Sequence, residues 1–169
     1  MKSNKALRLT VYLIAIMSLM WAASGCWSRR EIEGLSFVMA IGVDRSPSGN
    51  IQMTAQFAKP EAIGSAEGPK SQEKPFWVAT TEGHTMFEAF RNLGYISPKR
   101  PYLPHNNFYI FGEDLFREMG IKPFLDLINR DPEPRLTARI SVVKGATAKD
   151  LLQAEFEGMP MSAVALRGI

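Results

Sequence analysis

Residues 35–44, "LSFVMAIGVD", are almost continuously apolar, which predicts a strand covered on both faces. Beyond the turn residues "RSPSGN", the pattern changes to alternation. Ile51, Met53, Ala55 and Phe57 interleave with Gln52, Thr54 and Gln56, the period of a half-buried strand. These two segments are expected to form a hairpin. Residues 60–75 mix Pro, Gly, Ser and charge without any period and are expected to be a disordered surface loop. "FWVATT", 76–81, predicts a third strand.

Thr85 and Glu88 are spaced as a capping box, and Met86, Ala89, Phe90 and Leu93 follow at helical spacing, predicting a helix to about Gly94. Residues 108–111 form a short apolar strand. Residues 114–119 predict one or two helical turns closed at Gly120, and Phe124, Leu127 and Ile128 mark a helix begun near Pro123. Leu136, Ala138, Ile140 and Val142 alternate with Thr137, Arg139 and Ser141, another strand pattern, and Thr147 with Asp150 caps a last helix carrying Leu151 and Leu152. The sum is an α+β domain over residues 35–158, a mixed sheet of about five strands with three or four helices packed on it. Residues 159–169 are expected to open a truncated remainder.

The chain's start follows a different rule. Lys2, Lys5 and Arg8 precede an apolar run, 9–21, and then the small residues Ala22, Ala23, Ser24 and Gly25. Basic, apolar, small is the order of a cleaved export signal, whereas a spanning helix needs about 20 apolar residues and this run is shorter. Residues 1–25 are therefore expected to be a signal peptide cut between Gly25 and Cys26. Removing it changes the charge. The chain has 20 Lys and Arg against 17 Asp and Glu, and three of those cations lie in the signal, so the mature chain balances at 17 and 17. A nucleic-acid partner, which needs a surplus of cations to displace counterions from phosphates, loses its support.

Cys26 is the only cysteine among 169 residues, so no internal disulfide can form. Its setting, Ala23, Ser24, Gly25 and Cys26, looks like a bacterial lipobox with Ala23 where Leu is usual. Such a cysteine carries a diacylglyceryl group. One acyl chain binds a bilayer marginally at about 0.8 kcal/mol per buried CH₂, and two chains hold. Residues 26–34, beginning with Trp27, then serve as a lipidated N-terminus and linker at the membrane surface.

Catalytic chemistry finds little support. The two histidines, His84 and His105, show no metal-ligand spacing, and no phosphate loop, dinucleotide fingerprint or nucleophile elbow occurs. No cofactor and no enzyme activity are expected. Asp44 at a strand end reads first as a turn-initiating residue. His105 could act as a proton switch or pack beside a strand. In "NRDPEPRLTAR", Arg130, Asp131 and Arg135 read first as local ion pairs about a proline-stiffened turn. As a docking corner with Trp27 and His105, they would offer guanidinium forks to a partner's carboxylates. The alternative to a docking module is a stand-alone surface lipoprotein that binds or hydrolyses a small solute in a polar pocket near Asp44 and His105.

Five stretches together resemble the Ger(x)C family, the lipoprotein C subunit of the germinant receptors of endospore-forming bacteria. They are "GCWSRREIEGLSFVMAIGVD", "TAQFAKP", "GHTMFEAFRNL", "HNNFYIFGE" and "NRDPEPRLTARISVVKGATAKDLL". The resemblance implies the N-terminal domain of a non-enzymatic receptor component, lipid-anchored at Cys26 on the outer face of the inner spore membrane. It also implies membrane-embedded A and B subunits as partners, nutrients as the trigger, and further domains after the part matched.

Overall fold

The computed structural model describes residues 2–23, 32–60, 62, 74–131, 133–135, 137–156, 159 and 161–166. Contacts divide the chain into two units, Met1–Glu33 and Gly34–Ile169. Among the described residues the first holds one α-helix, α1 (Lys2–Ala23). Among the described residues no helix is long and apolar enough to cross a membrane. The expected disordered loop, the signal cleavage site, Cys26 and Trp27 lie largely or wholly outside the described residues.

The second unit is α+β, as the patterns predict. Its centre is β1 (Leu35–Arg45). Antiparallel β2 (Ile51–Ala58) follows through the expected hairpin, with Gly49 at φ 82° in the tight turn where a side chain would be strained. The sheet continues antiparallel to β3 (Phe76–Gly83). On the other flank of β1 lie two parallel strands in tandem, β4 (Arg100–Tyr102) beside its beginning and β5 (Phe108–Gly112) beside its middle. Parallel β6 (Arg139–Val143) closes that edge. The mixed sheet therefore has six strands, in the order β3-β2-β1-β5-β6 with β4 against β1. The extra strand is β4, three residues with a central proline, too short for any period and placed where its missing N–H is tolerated.

Helices cover both faces. On one side α2 (Met86–Ile96), α3 (Glu113–Met119) and α4 (Lys122–Arg130) close over Ile41, Val43, Met53, Phe57, Tyr109 and Phe111. On the other, α5 (Ala148–Gln153) and the single turn α6 (Ser162–Ala165) close over Ala40, Phe108 and Ile110. Of the two capping boxes expected from sequence, Thr147 and Asp150 form one in full, whereas at α2 Thr85 accepts from Glu88 N–H but the Glu88 carboxylate accepts from His84 N–H rather than from the cap residue. Six α-helices are described: α2 to α5, which match the expected helices of the domain, together with α1 and the single turn α6.

The pleat of β1 depends on one irregularity. The register slips between Val38 and Ala40, and Val38 shares a face with Ile41 and Val43 although strict alternation would separate even from odd positions. A bulge inserts one residue, re-aims the strand's start and lets both ends of β1 bury apolar side chains on the same face.

Two patterns differ from expectation. The polar face of β2 is not exposed: Thr54 and Gln56 are fully buried because α5 and α6 lie over them. Gln56 meets that burial with three bonds. Its amide donates to Leu152 O and Ser162 Oγ, both at 2.7 Å, and its oxygen accepts from Ala163 N–H at 3.2 Å. The last β-pattern is likewise shifted. It becomes strand only from Arg139, and Ile140 and Val142 remain over 40% exposed because β6 is the edge strand and the helices cover it only in part. The sequence boundary at 158 also contrasts with the packing, in which Met161, Ser162 and Ala163 are buried within the second unit.

Gln56→Ala should destabilise the second unit by about 2–4 kcal/mol, since Ser162 and Ala163 lose their partner in a dry core. Urea unfolding of the purified variant measures this, and a change near zero would show that α6 does not depend on Gln56.

Candidate functional site

The two ends of β1 carry different chemistry. At its C-terminal end, Asp44 is 2% exposed, and its two carboxylate oxygens accept from Ala148 N–H at 2.8 Å and Lys149 N–H at 2.9 Å. These are the first amides of α5, which carry no intrahelical partner and the positive end of the helix dipole. Asp44 is thus neither a turn initiator nor a free carboxylate; it is a cap supplied from 104 positions upstream. Gly112 makes room for it, because a Cβ there would lie 2.3 Å from Asp44 Oδ1. Burial pushes the Asp44 carboxyl above its ordinary value, with the two amide bonds pulling the other way.

At the N-terminal end of β1, His105 ends a 3₁₀ turn, Leu103–His105, and joins an aromatic cluster. Its ring lies 5.3 Å from that of Phe37, edge to face, and 5.4 Å from that of Tyr102. That packing is the plainer of the two expectations for this histidine. His105 and Asp44 belong to opposite ends of the strand, roughly 20 Å apart at a strand's rise per residue, so the shared polar pocket expected of them does not form.

The acidic and basic residues after α4 divide as well. Arg130 and Arg135 are exposed. Asp131 ends α4, its N–H donating to Leu127 O, while its Oδ1 accepts from Glu133 N–H at 2.9 Å. Glu133 in turn forms an ion pair with Arg100 of β4, a residue with no candidate role in the sequence reading. Asp131, Glu133 and Arg100 border a cavity of 380 Å³. Its buried floor is Val38, Phe57, Leu93 and Leu103, and α2 contributes Phe87, Phe90, Arg91 and Gly94. The sequence held a signal for this second face: Phe87, Phe90, Arg91 and Gly94 repeat at i, i+3, i+4 and i+7, displaced from the core stripe of the same helix.

Beneath this region, Tyr109 and Asn106 are each 1% exposed. Among the described residues, the Tyr109 hydroxyl and both polar atoms of the Asn106 amide find no hydrogen-bond partner. Burial raises the Tyr109 hydroxyl above its ordinary value, the adjoining Asn106 amide draws it down, and Asp131 raises it again. The two side chains adjoin, but their alignment falls short of a hydrogen bond. Among the described residues no group of three or more His, Cys, Asp or Glu side chains is placed to hold a metal ion.

Against known proteins, residues 28–169 match the spore germination protein N-terminal domain. Over 152 residues the chain is 30% identical to spore germination protein KC of Bacillus subtilis (strain 168), covering 89% of this chain and 36% of that protein. Two further proteins of the same organism are each 28% identical: spore germination protein A3, over 83% of this chain and 37% of that protein, and spore germination protein B3, over 75% and 33%. The chain thus spans about a third of the length of the curated relatives it matches. No solved structure gives a significant match.

The Asp44 cap makes a pH prediction. A native value above the unfolded one means that the folded state keeps a proton the unfolded chain has released. This group's contribution to stability therefore falls as pH rises from its ordinary value of 3.8 through the raised native one. Asp44→Asn removes that titration and costs about 1–2 kcal/mol as a cap lost in part. Urea midpoints across this range should show the advantage of wild type over the variant shrinking with rising pH; a growing advantage would contradict the assignment.

Proposed function

The chain belongs to the spore germination protein N-terminal domain family, and we propose that it acts as a non-enzymatic, lipid-anchored subunit of a nutrient germinant receptor. The observation that carries this reading is the family match itself, which begins two residues after Cys26 and runs through the whole second unit. A lipid on that cysteine would place the domain beside the bilayer with only residues 27–34 between the anchor and β1. In this reading residues 1–25 are removed as a signal peptide, and acylated Cys26 holds the protein on the outer face of the inner spore membrane.

A docking role is supported by what the charged groups do. Asp44, the carboxylate set deepest in the sheet, is occupied by α5. Arg130 and Arg135 stand exposed near Asp131, available to a partner's carboxylates. Membrane-embedded A and B subunits are the partners this reading requires, with Trp27 and His105 as additional candidate contacts. Two acyl chains supply the persistence at the membrane that a balanced mature charge, 17 against 17, does not.

Cys26→Ala in the native gene should abolish incorporation of labelled palmitate and impair nutrient-triggered germination, while germination by a non-nutrient trigger stays intact. Palmitate incorporation into that variant would show that the attachment site lies elsewhere. Wild-type germination without any lipid would remove the anchor from the mechanism.

A further inference from the structure

The two sides of α2 differ in what they offer. Met86, Ala89 and Leu93 are buried in the core. On the opposite side Phe87, Arg91 and Tyr95 follow one another at i, i+4 and i+8, one stripe along the helix, and Lys99 follows just beyond its C-terminus. Phe87 is 59% exposed and Tyr95 73%, and both cations are exposed as well. A lone apolar residue on a surface is ordinary, whereas two aromatic rings in line with two cations form a patterned face.

The face is basic. Glu88 is the one acid on this side of α2, and its carboxylate accepts from His84 N–H at 2.8 Å at the start of the helix. Asp131 and Glu133 border the cavity from the segment after α4, Glu133 paired with Arg100 and Asp131 accepting from Glu133 N–H. Lysine is depleted from the cores of protein interfaces, which argues against a protein as the occupant. A bilayer surface suits all four residues. Tyrosine sits at headgroup level, phenylalanine reaches the acyl boundary, and Arg and Lys lay their stems on apolar surface while their charges meet anionic headgroups. The position in the fold agrees, since α2 leads into β4, and Arg100 of β4 is the register partner of Leu35, where β1 begins.

We propose that the outer face of α2 lies against an anionic lipid surface, with Phe87 and Tyr95 among the headgroups and Arg91 and Lys99 on their phosphates. The inference rests on the lipid-anchored reading above for the presence of the bilayer; the anchor holds the protein there, and this face sets which way the second unit turns. One helical stripe makes a weak contact by itself and a persistent one when tethered.

The test reconstitutes the full chain in vesicles of phosphatidylglycerol and, separately, of phosphatidylcholine, exposes both to hydroxyl radicals, and reads side-chain oxidation by mass spectrometry. Oxidation of Phe87 and Tyr95 should fall severalfold on phosphatidylglycerol relative to phosphatidylcholine, while exposed Phe156, just beyond α5, should be oxidised equally on both. Loss of two cations near such a surface is worth about twentyfold in the contact. The double variant Arg91→Gln, Lys99→Gln should therefore show both rings oxidised as on phosphatidylcholine, with the wild-type melting temperature because both side chains are exposed. Equal oxidation on the two lipids, shielding unchanged in the double variant, or shielding that appears only when membrane-embedded protein subunits are added would overturn the proposal. The mass of the peptide bearing Cys26 reports the anchor separately. Unmodified Cys26 with both rings shielded supports this face and removes the anchor, whereas lipidated Cys26 with both rings fully oxidised removes this face and leaves the anchor standing.

Discussion

Everything in the second unit is arranged around the need to bury β1 on both faces. It bonds to β2 on one side and to β4 and β5 on the other, so it has no edge, and its apolar run leaves it no solvent face. Ile41 and Val43 require a helical layer on one side, and Ala40 with Gly42 requires one on the other. Gly42 sets how close that second layer comes, since a Cβ there would lie 2.9 Å from the Ala148 side chain. The bulge at the strand's start keeps Val38 on the face where α2 can cover it.

That arrangement leaves the two strand ends with opposite tasks. At the C-terminal end α5 must begin against the sheet, and its exposed amides would be left unpaired in a buried place without Asp44. The carboxylate and the amides each solve the other's problem: a buried charge needs donors, and helix N-terminal donors need an acceptor. At the N-terminal end, β4 is only three residues long and the helices do not close over it. The core is open there, as a cavity whose floor belongs to the hydrophobic interior and whose rim is charged.

Hydrophobic periodicity by itself determined the α+β class, the β1–β2 hairpin, β3, β5, and the helices α2, α4 and α5, because each of these follows from side-chain alternation or a capping residue within one short window. The family was legible too, from the order and spacing of five short stretches that are individually weak. Tertiary structure decided what depends on contacts between distant residues. Asp44 looked like a turn residue because its partners lie more than 100 positions away. Gln56 looked solvent-facing because alternation reveals a polar face but not whether a later helix will cover it. Ile140 and Val142 looked like core because the pattern cannot tell an edge from a centre. The cavity, likewise, exists only where α2, β4 and the turn after α4 meet, and no local pattern encodes a space between three separate segments.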